Sequence, residues 1–209
     1  MDYLMYKKRW KLYVFSLSLC IFTNIHLSIF VCFFLIIWFF TYHFTGFKDF
    51  VHKGCRFAAA SLLAAGCNFF RLVETYTSKS NSIYQQTDSK LPAFGFFDSF
   101  FEQWNQLFIF TPSQAISQNN SYINLYMGIL TLILIGIYVT SRRISLTEKA
   151  RKFVPLLILT ISFNEEVLSY VWNGFHYQSN VPNRYVFLLM FLCAIISYDA
   201  ICELKQVTT

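Results

Sequence analysis

The charged residues of this chain come in short bursts, and the long runs between them are apolar. Only 13% of the residues are Asp, Glu, Lys or Arg, whereas 56% are hydrophobic and 25 are Phe. Ordinary soluble domains carry about a quarter charged residues, so this chain lacks the polar surface that keeps a globule in water. Apolar runs of this length are read as membrane-spanning helices. The expected fold is all-α, a polytopic transmembrane helix bundle with about six spans in three hairpins. Residues 1–209 are expected to form a single integral membrane domain.

The cations suggest its orientation. Lys7, Lys8, Arg9 and Lys11 form one burst, and Lys48, Lys53 and Arg56 a second. Arg142, Arg143, Lys149, Arg151 and Lys152 form a third, with Lys205 near the end. The opposite connections hold only Arg71, Lys79, Lys90 and Arg184. Lys and Arg accumulate in cytoplasmic loops. The expected location is therefore the cell membrane, multi-pass, with both termini cytoplasmic. The formal charge of +6 does not argue for nucleic acid as a partner, because the cations sit in separate juxtamembrane loops. Membrane lipids are the partners this layout implies.

The first apolar stretch, 12–44, is too long for one comfortable span and is interrupted at Thr23-Asn24-Ile25-His26. It reads as spans at 10–23 and 27–44 around an outer turn. The first limb is shorter than the ~20 residues a bilayer needs, so it either begins in the basic segment near Trp10 or sits in locally thinned membrane. A single long tilted helix is the rival reading, with five spans and the N-terminus outside. A basic loop at 46–56 leads to a third span at 57–73. Ala58, Ala59, Ala60, Ser61, Ala64, Ala65 and Gly66 give that span a close-packing face of small residues.

Residues 78–121 form a long outer loop. Within it Phe97, Phe100, Phe101, Trp104 and Phe108 recur at helical spacing, opposite Asp98, Glu102, Asn105 and Gln106. The pattern predicts an amphipathic helix lying in the interface. Its role is either a lid or anchor on the bundle or a grip on a lipid-linked substrate. Spans at 122–140, 153–172 and 185–202 complete the count.

Motifs for familiar chemistries are missing. The six cysteines include no Cys-x-x-Cys pair and no two of the four histidines stand at i, i+4, so neither a metal site nor a cofactor is expected. There is no Gly-rich phosphate loop and no nucleophile elbow. The informative groups lie near the outer face. Glu165 and Glu166 fall about two-thirds of the way along the fifth segment, where a carboxylate is expensive unless it faces a polar cavity, pairs with a cation or reaches the headgroups. These are the candidate catalytic carboxylates, as a general base. Arg184 and His176 lie across the next loop. Arg184 either clamps a phosphate through two parallel hydrogen bonds or anchors the last helix at the headgroups.

The stretch Trp172-Asn173-Gly174-Phe175-His176-Tyr177, followed by Pro182-Asn183-Arg184-Tyr185-Val186-Phe187, resembles the signature loop of the YfhO family of bacterial membrane proteins. Members of that family read Trp-His-Gly-Phe, then Pro-Tyr-Arg-Phe-Ser-Phe before an apolar span. The segment "FTNIHLSIF", with Asn24 and His26, resembles the family's Asn-aromatic-aromatic turn. "NLYMGILTLILIGIY", followed by "ISLTEK", resembles its Asn-x-Tyr-x-Gly span and basic loop. The resemblance covers nearly the whole chain in order and topology.

It implies a glycosyltransferase of the lipid-donor type, moving a sugar from a polyprenyl-phosphate carrier to a cell-surface polymer such as teichoic or lipoteichoic acid. Under it, Arg184, His176, Asn173, Trp172, Asn24 and His26 would bind substrate. The departures are Asn173 for the family's His and Tyr185-Val186 for its Phe-Ser. The family's acidic outer loop would fall before Met1. The resemblance therefore implies an internal or truncated portion that acts with a companion chain carrying the missing spans. A non-catalytic membrane subunit or remnant is the alternative. A transporter permease ranks third, because the chain lacks an internal repeat and its polar residues gather at one face.

Overall fold

The computed structural model describes residues 2–5, 10–80, 94–95, 125–175 and 184–208, and every regular element among them is an α-helix. The chain divides into two compact units, Met1–Leu91 and Pro92–Thr209. The interfacial helix expected around 97–108 and the side chain of His176 lie outside the described residues.

The first unit contains α1 (Asp2–Met5), α2 (Trp10–Thr23), α3 (Ile25–Phe40), α4 (Phe47–Cys67) and α5 (Phe69–Ser80). Only Asn24 separates α2 from α3. Its extended backbone (φ −156°, ψ 105°) ends one helix, and its side-chain oxygen accepts the Leu27 N–H at 3.1 Å to cap the next. Cys32 and Leu35 of α3 pack on a core formed by Tyr13, Val14, Leu17 and Ile21 of α2 with Leu4, Ala60 and Ala64. The Ser28 hydroxyl reaches the Cys20 sulfur at 3.5 Å. In a straight helix Tyr13 and Cys32 would stand about 28 Å apart, so the chain folds back at Asn24.

The stretch 46–56, expected to be a loop, is the first half of α4. Gly46 occupies the N-cap position, Asp49 the first turn, and Lys53 pairs with Asp49 at 2.7 Å one turn on. Acidic residues in the first turn and i, i+4 ion pairs both favour helix. The Lys53 ammonium also holds the Asp49 carboxyl below its usual range. Farther along, the Tyr13 and Ser61 hydroxyls are 2.9 Å apart. Ala60 and Ala64 are buried on the packing side, whereas Ala58, Ala59 and Gly66 are exposed. Only part of the small-residue run therefore packs. The helix predicted over 57–73 breaks at Asn68, where α4 and α5 meet at 70°.

The second unit contains α6 (Ile129–Thr140), α7 (Leu146–Ser162), α8 (Glu166–Trp172) and α9 (Val186–Thr208). α6 starts later than the expected 122, because Gly128 takes φ 85°, a conformation that glycine adopts without steric cost. At its other end the Lys149 ammonium donates to the carbonyls of Val139 (2.6 Å) and Ser141 (2.5 Å), a favourable place for a cation. α7 starts earlier than expected. The Ser145 hydroxyl accepts the Glu148 N–H at 3.3 Å, and the Ser-x-x-Glu spacing is that of a capping box. The segment expected to run unbroken over 153–172 divides between Ser162 and Glu166.

Among the described residues Val186–Leu204 is the helix long and apolar enough to cross a membrane by itself, with mean hydropathy 2.0 over 19 residues. It extends about 28 Å, close to the ~30 Å of a bilayer's hydrocarbon. α2, α3 and α6 are apolar but shorter. Leu188, Leu192, Ile196 and Ala200 form the buried stripe of α9, while Phe187, Phe191, Tyr198 and Ile201 stay exposed. An apolar helix that buries only one stripe suits lipid on the other side.

Candidate functional site

The break between α7 and α8 concentrates polar groups within the second unit. α7 ends at Ser162, and its last carbonyls need partners outside the helix. Tyr185, fully buried just before α9, donates its hydroxyl to the Ser162 carbonyl at 2.7 Å. Its ring stacks on Phe163 (centroids 4.9 Å apart) and on Trp172 (5.0 Å). Three elements are thus joined through one tyrosine. Asn164 is completely buried beside Phe163.

Glu165 is the N-cap of α8, with its Oε2 accepting the Leu168 N–H at 2.6 Å. Its Oε1 is enclosed and has no hydrogen-bond partner among the described residues. A buried acceptor left unmatched costs free energy, and the Oε1 of Glu203 on α9 is enclosed in the same way. In Glu165 one oxygen is tethered by the helix and the other is enclosed without a hydrogen-bond donor. Glu166 follows in the first turn of α8, and its backbone N–H donates to the Gly95 carbonyl at 3.1 Å. Asn173 is buried at the far end of α8 and donates from Nδ2 to the Ser169 carbonyl at 2.8 Å.

The expected site residues are therefore distributed unevenly. Glu165, Glu166, Trp172 and Asn173 border the α7–α8 break or its short helix, with Trp172 against Tyr185. Arg184 precedes Tyr185 and is exposed. Asn24 and His26 belong to the other unit, where Asn24 caps α3 and the His26 ring meets Phe30 edge-on at 5.1 Å. Among the described residues no three His, Cys, Asp or Glu side chains gather to hold a metal ion.

Two polar partners escaped the sequence reading. Lys152, assigned there to a basic burst, is buried on α7 and forms an ion pair with Asp199 of α9. Its ammonium lies 4.9 Å from the Tyr138 ring centroid and 4.0 Å from Glu148. The signal was present, since Asp199 is a lone carboxylate within the apolar run 185–202 and such groups normally have a partner.

A family model described as the bacterial membrane protein YfhO matches residues 1–209. No curated protein and no solved structure gives a match. The match spans the entire chain, and the helical, charge-poor architecture agrees with it. The chain belongs to the YfhO family of bacterial membrane proteins.

Proposed function

We propose that this protein is part of a membrane glycosyltransferase that moves a sugar from a polyprenyl-phosphate donor to a cell-surface polymer such as teichoic or lipoteichoic acid. In this reading it is a multi-pass protein with both termini cytoplasmic, and it works with a companion chain that supplies further spans. The observation that carries the reading is the Glu165 carboxylate at the α7–α8 break, with Oε1 enclosed and unmatched. A carboxylate so placed suits removal of a proton from an acceptor hydroxyl as it attacks the sugar. The leaving group is a lipid phosphate at headgroup level, and the exposed Arg184 beside Tyr185 would stabilise the charge it develops. The bond formed joins the acceptor oxygen to the sugar, and the bond broken joins the sugar to the phosphate.

A non-catalytic scaffold is favoured by a different observation: Asn24 and Glu165 each commit a side-chain oxygen to capping a helix. Reconstitution with the companion chain separates the readings. Vesicles given a labelled polyprenyl-phosphate sugar and the polymer should transfer label above protein-free vesicles. Arg184→Ala should reduce transfer about ten- to a hundredfold, the value of a charge-assisted contact, while leaving membrane insertion intact. Unchanged transfer would make Arg184 an interfacial anchor, and no transfer by the unsubstituted protein would leave the scaffold reading.

A further inference from the structure

Asn68 turns what would be a straight span into a foot bent by 70°. Its side chain is almost wholly buried and donates from Nδ2 to the Ser18 hydroxyl (2.8 Å), the Ser18 carbonyl (3.1 Å) and the Ala64 carbonyl (3.0 Å). These contacts tie the 70° bend to α2. α5 then leans on the end of α2 that carries the Asn24 turn. Leu72 packs on the core that α2 shares with α1 and α4. Arg71 donates to the Phe22 carbonyl at 3.4 Å and lies over the Phe22 ring at 5.7 Å, where a cation meets the negative end of a helix.

The remaining surface of α5 has two faces. At about 100° per residue, Phe69, Phe70, Val73 and Tyr76 fall within one arc of roughly 120°, together with Thr77, whose hydroxyl donates to the Val73 and Glu74 carbonyls. The four apolar residues are exposed by 67%, 80%, 43% and 76%. Arg71, Glu74 and Ser78 are exposed on the other side, with Arg71 and Glu74 paired at 3.7 Å. On α4, before the bend, Leu62 and Leu63 are likewise exposed, by 72% and 47%. In a membrane protein that α4 surface faces lipid.

We infer that α5 is an interfacial foot, lying along the bilayer surface on the side of the Asn24 turn, with Phe69, Phe70, Val73 and Tyr76 seated at the glycerol–acyl boundary. A helix with an apolar face and a polar face lies in the interface plane in this way. Its occupant is the bilayer itself. A continuation of α4 through the membrane would carry Arg71 and Glu74 into hydrocarbon, which is costly, whereas a foot keeps them at headgroup level. Because Glu74 offsets Arg71, docking requires no anionic lipid. The inference depends on membrane residence alone and not on sugar transfer.

Nitroxide labels test it in the full chain, with the native cysteines replaced by alanine, reconstituted in phosphatidylcholine vesicles. Labels at F70C, V73C, Y76C and E74C are compared with a reference at L63C by their accessibility to oxygen and to a water-soluble nickel chelate. Labels at 70, 73 and 76 should share one shallow depth, with L63C deeper and E74C in water. A steady change of about 9 Å in depth between 70 and 76, the rise of six helical residues, would overturn the inference. So would labels at 70, 73 and 76 shielded from both reagents, which would mean that protein covers this face. Insertion only after phosphatidylglycerol is added would contradict charge-neutral docking.

Discussion

Asp199→Asn should destabilise the protein by about 3 kcal/mol, the lower end of what breaking a buried ion pair costs. The substitution strands the Lys152 ammonium, whose side chain is only 10% exposed, between α6, α7 and α9. Asp199 itself is 34% exposed, so water recovers part of the loss and the upper end of the range is not reached. Glu148 stands 4.0 Å from Lys152 but is 56% exposed, and an ion pair in that setting contributes less than about 1 kcal/mol. Glu148→Gln should therefore have little effect.

The double variant Lys152→Met with Asp199→Leu separates two explanations. Replacing both charges by apolar groups of similar size is often neutral, so the double variant should recover most of the stability lost by Asp199→Asn. Denaturant unfolding in detergent micelles measures all three. A double variant as unstable as the single one would mean that shape at these positions, rather than the stranded charge, sets the cost.

The class of fold was legible because it depends on composition. Few charges, long apolar runs and clustered cations leave little besides helices in a membrane. The helix breaks were harder to read. Those at Asn24, Asn68 and Asn164 each carry an asparagine, a residue whose side chain competes with the backbone for hydrogen bonds. At Asn24 the neighbouring Thr23 and His26 made the interruption visible. Asn68 lies between small and aromatic residues and Asn164 before two glutamates, so hydropathy alone carries the pattern across both. Long-range contacts decide these positions, as with the Asn68 bonds to Ser18, and local patterning does not contain them.

The candidate site was legible in part for the same reason. Glu165 drew notice because a carboxylate in an apolar segment requires an explanation. Its structural role as the N-cap of α8 follows from the division of the segment, which hydropathy does not carry. Tyr185 looked like a departure from the family pattern, yet it joins Ser162, Phe163 and Trp172. Lys152 was hidden by its position in a basic burst. A cation at the edge of a span reads as a topology signal, and nothing local reveals that it turns inward to meet a carboxylate 47 residues away.

Glu165→Gln is the second substitution with a large expected effect, on chemistry rather than on folding. Glutamine keeps an oxygen that can accept the Leu168 N–H, so α8 should remain capped. It lacks the basicity to take a proton. Loss of a general base lowers rates by about 10²–10⁴-fold. Glu166→Gln, at a position whose backbone is held by Gly95, should retain transfer.

The most direct measurement is the rate of sugar transfer from a labelled polyprenyl-phosphate donor to the polymer, with the protein and the companion chain proposed above in vesicles. Glu165→Gln should fold with unchanged stability and lower that rate at least a hundredfold. Transfer at the unsubstituted rate by a folded Glu165→Gln protein would show that the carboxylate only caps a helix.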